Sequence, residues 1–134
     1  EESAAIVVPA AAAPQMQAEQ QLDRFKRATR KHVQDFREGI YELLGWKVEM
    51  KGEGGSLRWH LSSRYTSDAG SELVFQLRPA ESGRPPAFDL LRTPWAEQLQ
   101  DDRQAAAFLE AYSSTPGFLA AITSGLVAQR SGLA

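Results

Sequence analysis

The sequence predicts an α+β fold: one long helix, then a small antiparallel sheet of three or four strands, then two helices on one face of that sheet. Three observations lead to this prediction. Apolar residues recur at helical spacing before Gly45, they alternate with polar residues in the segment that follows, and helical spacing returns after Thr93. A chain of 134 residues is long enough to form one buried core.

The first 14 residues predict a linker or an extended tail. Residues 1–14 are rich in alanine and contain Pro9 and Pro14, and proline is poorly tolerated inside a helix. Low complexity of this kind leaves a segment little apolar surface to bury. We therefore expect no core in residues 1–14.

Residues 15–44 predict a long amphipathic helix. At about 100° per residue its apolar side chains share one stripe, and Gly45 follows where helices commonly end. Thirty residues of helix extend for about 45 Å, which is more than a small domain needs, so we expect a coiled coil and a homodimer. The stripe consists of Leu22, Phe25, Thr29, Val33, Phe36, Ile40, Leu43 and Leu44. The predicted dimer interface consists of Leu22, Phe25, Val33, Phe36 and Ile40.

A period of two predicts the strands. Trp46, Val48 and Met50 alternate with polar residues, and a glycine-rich turn separates them from a second alternation at 57–62. A third strand is predicted at 73–77, and a short fourth one at 87–91. Short turns between successive strands favour an antiparallel meander.

Two helices are predicted after the sheet. Thr93 offers a capping hydroxyl with proline behind it, and apolar residues then recur at helical spacing as far as Tyr112. Ser114 can cap the last helix, and the adjacent Asp101 and Asp102 are expected to break or cap a helix where they stand. Residues 45–134 therefore form the predicted folded domain.

The residue types present exclude several kinds of catalytic site. The chain has no cysteine, so disulfides, thiolate nucleophiles and thiolate metal sites are all excluded. Its two histidines, His32 and His60, fall in different predicted elements, whereas a zinc ion takes about four closely placed ligands. His60 is predicted to be a solvated surface residue. We expect no catalytic residue, no metal and no cofactor, and hence no enzyme.

The overall charge and hydropathy of the chain disfavour nucleic acid and membranes as partners. A formal net charge of −2 gives the chain no general attraction for nucleic acid or for an anionic membrane. No apolar run approaches the roughly twenty residues that cross a bilayer. We therefore expect neither a nucleic acid nor a membrane as a partner.

Residues 24–37, which we call the basic segment, carry an excess of positive charge, in contrast to the chain as a whole. They contain six basic residues and one acidic residue, Asp35. A solvated helix face explains such a run, and so does a surface for an acidic or phosphorylated ligand, because arginine pairs bidentately with phosphate. Nucleic acid is less favoured, since exposed aromatic residues do not interleave with the charges. The basic residues are Arg24, Lys26, Arg27, Arg30, Lys31 and Arg37.

The order and spacing of short motifs resemble the mitotic-arrest-deficient protein one family. No single motif carries the resemblance, which comes from many short matches in the right order over about residues 20–131. The matching motifs are RFK at 24–26, HVQDFR at 32–37, YELLGW at 41–46, LRWHL at 57–61, ELVF at 72–75, DLLRT at 89–93, STPGFL at 114–119 and LVAQRS at 126–131.

The resemblance implies the C-terminal domain of a spindle assembly checkpoint scaffold, with an RWD-type fold at the end of a parallel dimeric coiled coil. Such a domain docks at unattached kinetochores through an arginine-leucine-lysine motif. That motif binds a phosphorylated segment of the budding-uninhibited-by-benzimidazole kinase. Here it reads Arg24-Phe25-Lys26. The expected partner-binding residues are Arg24, Phe25 and Lys26, assisted by Arg27 and Arg30.

The resemblance also implies a modification site, a second partner and a location. Ser131 stands where the family has a phosphorylated threonine near the C-terminus, so it is a candidate phosphoacceptor. The full-length protein is expected to bind the HORMA-domain mitotic-arrest-deficient protein two. It is expected in the nucleus, and at the kinetochore in mitosis.

Two other functions stay open on the sequence. One is a structural RWD-type subunit of the kinetochore, which would use the same fold for architecture. The other is a cysteine-less cofactor of ubiquitin conjugation. All three functions are non-enzymatic and depend on protein partners.

Overall fold

The predicted order of helices and strands is confirmed by the computed structural model, which describes residues 13–67 and 70–132. The architecture is α+β, with a long first helix, a four-stranded antiparallel sheet and helices after it. In chain order the elements are α1 (Ala13–Leu44), β1 (Trp46–Lys51), a 3₁₀ turn (Gly54–Ser56), β2 (Arg58–Ser63), β3 (Leu73–Arg78), β4 (Ala87–Leu90), α2 (Pro94–Leu99), α3 (Arg103–Glu110) and α4 (Thr115–Arg130).

The start of α1 differs slightly from the prediction. The helix begins at Ala13, two residues earlier than predicted, because Pro14 is accommodated in the first turn, where its missing N–H has no helical acceptor. The rest of the predicted linker, residues 1–12, lies outside the described residues.

The chain divides into two units, residues 1–36 and 37–134. In the first unit the described residues are all helical and all exposed to solvent. Gly39 is the only glycine within α1 and lies in the second unit, so the helical part of the first unit does not carry the propensity cost of a glycine.

The second unit is built on a sheet in the order β1-β2-β3-β4, with every neighbouring pair antiparallel. The register sets Val48 opposite Leu61 and Leu61 opposite Leu73. A second row sets Trp59 opposite Phe75. Apolar side chains therefore share one face of the sheet, as the period of two predicts.

Gly45 ends α1 as predicted. Its φ of +76° is a left-handed conformation that side chains disfavour, and its N–H donates to the Tyr41 carbonyl at 2.9 Å. A Cβ at this position would lie 2.9 Å from Cε2 of Tyr65. Glycine is therefore required here both by the backbone and by the neighbouring ring.

The C-terminal region contains three helices, and the prediction of two was wrong in this respect. The first predicted helix is interrupted at 100–102, and α3 begins after Asp102, whose Oδ1 accepts a hydrogen bond from the Ala105 N–H at 3.1 Å. The cap is thus where the paired aspartates indicated it. Thr93 and Ser114 also cap as predicted, accepting from the N–H groups of Ala96 and Gly117.

The core of the second unit lies between the apolar face of the sheet and the C-terminal helices. Leu73 and Ala105 have no exposed surface, and Phe118 is 2 % exposed. Trp46 Nε1 donates to Thr123 Oγ1 at 3.1 Å, so its only polar atom is satisfied. The core residues are Trp46, Leu61, Leu73, Phe75, Trp95, Ala96, Ala105, Phe118 and Ile122.

Candidate functional site

The basic segment lies on α1, and all of its side chains are exposed. Two ion pairs connect neighbouring turns of this helix. Arg27 Nη2 lies 3.1 Å from Asp23 Oδ2, and Lys31 Nζ lies 3.0 Å from Asp35 Oδ2. Each pair spans four residues, the spacing that brings two helical side chains together, and supports the helix by about 0.2–0.5 kcal/mol.

The basic residues of α1 differ in whether they have an ion-pair partner. Arg27 and Lys31 each have one, and the residues to compare with them are Arg24, Lys26 and Arg30. None of the three forms an ion pair with another residue in 13–67 or 70–132. Their charges are therefore available to a ligand, whereas the charge of Arg27 is already neutralised by Asp23. The predicted docking residues thus fall into two groups with different electrostatic states.

The predicted docking motif does not present a single surface. Phe25 is 69 % exposed, so most of its surface is free of contact with the described residues. Arg24 and Lys26 are two residues apart, and side chains at that spacing project about 200° apart around a helix. One phosphate bound to a single helix therefore cannot contact both cations closely.

The predicted dimer interface lies on the surface of the isolated chain. Leu22, Phe25, Val33 and Phe36 are between 42 % and 69 % exposed, and Ile40, in the second unit, is half-buried. Contiguous exposed apolar groups usually mark an interaction site. Dimerisation itself stays a prediction.

Ser131 immediately follows α4 and is exposed. Its N–H donates to the Val127 carbonyl at 3.0 Å, so the backbone is helical up to this residue. The guanidinium of the adjacent Arg130 lies 5.8 Å from the centroid of the Tyr65 ring. The hydroxyl is therefore accessible at a helix end, and its phosphorylation stays a prediction.

A polar cluster around Arg64 was not found from the sequence. Arg64 lies over the rings of Tyr41 and Tyr65, at 5.1 and 5.7 Å from their centroids, and its Nη1 donates to Glu42 Oε2 at 3.1 Å. This hydrogen bond raises the pKa of the guanidinium above its ordinary value. The cluster links the last turns of α1 to the end of β2, which are distant in sequence and carry no shared motif.

His60 is also placed differently from the sequence prediction. Its side chain is only 19 % exposed, and Nδ1 lies 3.0 Å from Glu72 Oε1, so the prediction of a freely solvated histidine was wrong. The pairing depends on the β2–β3 register, which sets His60 opposite Val74. The contact connects β2 to the residue that precedes β3.

An apolar groove of about 630 Å³ lies on the second unit. Leu43, which is 82 % exposed, forms part of its wall. The groove is lined mainly by apolar side chains, which suit contact with an apolar surface. Its main lining residues are Leu43, Leu44, Trp46, Phe88, Pro116 and Leu119.

Within 13–67 and 70–132, no three histidine, aspartate or glutamate side chains lie close enough together to hold a metal ion. None of the described helices is both long and apolar enough to span a bilayer.

Comparison with models of known protein families identifies a family that matches most of the chain. A family model described as "MAD: Mitotic checkpoint protein" matches residues 14–131, which includes α1, the whole sheet and the C-terminal helices. Among curated proteins, no sequence matches the chain significantly. The family match therefore covers both the basic segment and the folded unit.

Proposed function

Because the chain belongs to the MAD family of mitotic checkpoint proteins, we propose that it is a non-enzymatic scaffold domain that dimerises and binds a phosphorylated partner. The family match establishes a role in the spindle checkpoint. The proposal adds how the domain performs that role. It dimerises through α1, and the basic segment of α1 docks a phosphorylated segment of the partner checkpoint kinase.

The observation that carries the proposal is the combination of two exposed features on α1. The helix presents apolar side chains that are largely exposed in the single chain, and it presents cations without ion-pair partners among the described residues. An apolar stripe suits a second helix, and unpaired cations suit an anion. One helix can therefore serve both partners.

The homodimer is supported by the exposure of Phe25 and Phe36. These rings are 69 % and 62 % exposed, and aromatic rings contribute strongly to association when they are buried. A second copy of α1 presents the same stripe, so a parallel pair would cover both. The stripe thus supports a symmetric interface.

A phosphorylated ligand is supported by the charge of the basic segment. A phosphothreonine carries about −1.5 to −2 charges and three strong acceptor oxygens. Arginine and lysine side chains on an exposed helix can donate to those oxygens with charge-assisted bonds, which are roughly twice as strong as neutral ones. The resemblance supplies the partner's identity as the budding-uninhibited-by-benzimidazole kinase.

Several finer assignments belong to the same proposal. The domain would be the RWD-type C-terminal part of a longer scaffold, and the full-length protein would bind the HORMA-domain mitotic-arrest-deficient protein two. It would act in the nucleus, and at unattached kinetochores in mitosis. Ser131 would be phosphorylated, which its exposure at the end of α4 permits.

Calorimetry with peptides from the partner kinase tests the proposal. Wild-type protein is titrated with a phosphothreonine peptide and with its unphosphorylated twin, and the titration is repeated with an Arg24→Ala, Lys26→Ala double variant. We expect the phosphopeptide to bind more tightly, and the double variant to lose about 1.5–3 kcal/mol, or one to two decades of affinity.

The fold of the double variant should be unchanged, because both side chains are exposed and form no ion pair among the described residues. Equal affinity of the wild type for the two peptides would reject phosphate-dependent docking. A structural kinetochore subunit would then be the better assignment.

A further inference from the structure

We propose that the outer edge of β1 is a docking site for an extended segment of another protein, which joins the sheet as an additional strand. The segment carries an acidic residue beside Lys51 and apolar residues beside Met50 and Val48. This inference goes beyond the proposed function, because it concerns the second unit and uses backbone groups that play no part in docking a phosphate on α1.

The hydrogen bonds of the sheet show which backbone groups of β1 face outward. The Arg64 N–H donates to the Gly45 carbonyl at 2.9 Å, and these two residues continue the register of β1 and β2 by one step. Hydrogen-bonded pairs alternate with non-hydrogen-bonded pairs along an antiparallel ladder. Every second residue after Gly45 therefore bonds to β2, and the N–H and C=O groups of Val48 and Met50 point away from β2.

In the described part of the chain, these outward groups have no hydrogen-bond partner. β1 is the first strand in the order of the sheet, so no strand of the sheet lies along this edge. A row of unpaired N–H and C=O groups on an edge strand is a template for pairing with another chain. Residues Val48 and Met50 therefore offer two donors and two acceptors to an extended segment.

The helix α1 leaves space beside β1. A cleft of about 400 Å³ separates the last turns of the helix from the polar side chains of the strand. Tyr41 and Glu42 line the cleft from the helix, and Lys47 and Glu49 line it from the strand. β1 is also the longer of the two edge strands, with six residues against four in β4, so it offers the longer template.

The apolar side of the same edge suits apolar residues of the segment. Met50 is 53 % exposed, and Val48 forms part of the wall of an apolar pocket of about 250 Å³, together with Trp59 and Leu119. Side chains directly opposite each other on paired strands lie about 4.5–5.5 Å apart. Apolar residues placed opposite Val48 and Met50 would therefore cover apolar surface that the single chain leaves exposed.

The charges at the end of β1 favour an acidic residue in the segment. Lys51 lies directly opposite Arg58, both side chains are exposed, and neither forms an ion pair with a described residue. Like charges directly opposite each other destabilise a sheet. A carboxylate placed beside Lys51 would offset this repulsion.

A second copy of β1 fits these charges less well. Antiparallel self-pairing that sets Val48 opposite itself also sets Lys47 opposite Glu49, but it leaves Lys51 opposite Gly45 and without a carboxylate. The docked segment therefore has the order acidic, apolar, polar, apolar in an antiparallel strand, which is the orientation of every pair in this sheet.

A synthetic peptide tests the site. It carries the order Glu-Ile-Thr-Val between short Gly-Ser ends, and its twin has Lys in place of Glu. Each peptide is titrated into the isotope-labelled chain, and nuclear magnetic resonance follows the backbone amides of Val48 and Met50. We expect the Glu peptide to shift both amide signals and to slow their hydrogen exchange, because the two N–H groups gain acceptors.

Two variants at Met50 isolate the backbone contribution. Met50→Pro removes one outward N–H, and proline is tolerated on an edge strand where its missing N–H faces solvent. Met50→Ala is the matched control, because it also removes the methionine side chain but keeps the N–H. We expect Met50→Pro to bind the Glu peptide about threefold to tenfold more weakly than Met50→Ala, which corresponds to the net loss of one hydrogen bond.

A charge reversal tests the acidic residue without changing the backbone. Lys51→Glu should reverse the preference of the wild type, so that the Lys twin binds about twofold to fivefold more tightly than the Glu peptide. Circular dichroism checks that all three variants are folded. Because Lys51 is exposed, this variant tests the site even if β1 does not accept proline.

Three results would overturn the proposal. The first is that the amides of Val48 and Met50 do not shift at millimolar peptide. The second is that Met50→Pro and Met50→Ala bind the peptide equally well, since strand addition needs the outward N–H. The third is that the two amides shift with protein concentration alone and the peptide does not compete, because a second copy would then occupy the edge. Phosphopeptide docking on α1 is measured separately, so neither proposal depends on the other.

Discussion

The two units of this chain differ in how far their apolar side chains are buried. In the second unit Leu73, Phe75 and Phe118 are almost completely buried between sheet and helices. In the first unit Phe25 and Phe36 are more than half exposed, and no residue of α1 is buried. The second unit therefore buries its apolar residues by folding, whereas those of the described part of the first unit are exposed in the single chain.

Both units contain ion pairs, but they differ in how some of their charged side chains are held. In the second unit Arg64 is held by Glu42, and His60 by Glu72. In the first unit Arg24, Lys26 and Arg30 have no ion-pair partner among the described residues. The cations of α1 without an ion-pair partner are the groups that the proposed function assigns to a phosphorylated partner.

The largest effect is expected from a core residue of the second unit. Phe118→Ala should lower the free energy of unfolding by about 3–5 kcal/mol, because it opens a cavity around a side chain that is 2 % exposed. Urea denaturation followed by tryptophan fluorescence measures this. The loss should be the same at every protein concentration, and a strong concentration dependence would show that this core is shared between chains.

Smaller changes in stability, of opposite sign, are expected when two glycines of α4 are replaced by alanine. A Cβ on Gly117 would lie 2.5 Å from Cδ1 of Phe108, so Gly117→Ala should destabilise the second unit by about 1–3 kcal/mol. Gly125 has no such atom within 4 Å, so Gly125→Ala should stabilise the unit by about 0.5–1 kcal/mol.

The glycine pair sharpens the comparison because both substitutions are identical and lie on one helix. Thermal unfolding by circular dichroism gives both changes. Equal effects at the two positions would contradict the packing of Phe108 against the start of α4.

Much of the fold is predictable from the sequence because it depends on local signals. The long helix, its end at Gly45 and the strand alternation of Trp46, Val48 and Met50 all follow from the spacing of apolar residues and from glycine. The caps at Thr93 and Ser114 follow from the hydrogen-bonding capacity of their hydroxyls. The number of C-terminal helices was underestimated, although Asp101 and Asp102 indicated where the break before α3 occurs.

The details of the candidate site depend on contacts that the sequence does not specify. The basic segment is visible in the sequence as a run of charges. The sequence does not show which neighbouring cation pairs with Asp23, and in the structure that cation is Arg27. Likewise, the contact of His60 with Glu72 depends on the register of two strands. Long-range pairing and side-chain choice are fixed only by the folded chain.

The solution mass tests the central claim, that the apolar stripe of α1 is covered by a second copy. Light scattering at micromolar concentration should give twice the chain mass of 14.8 kDa. Phe36→Ala, which removes a ring 62 % exposed in the single chain, should shift the protein toward the monomer, because a buried ring in the seam contributes about 3–5 kcal/mol.

The control is Gln20→Ala, an exposed position on the side of α1 opposite the stripe, which should leave the mass unchanged. A wild-type mass of 14.8 kDa throughout the micromolar range would contradict the claim, since the stripe would then stay exposed without a second copy.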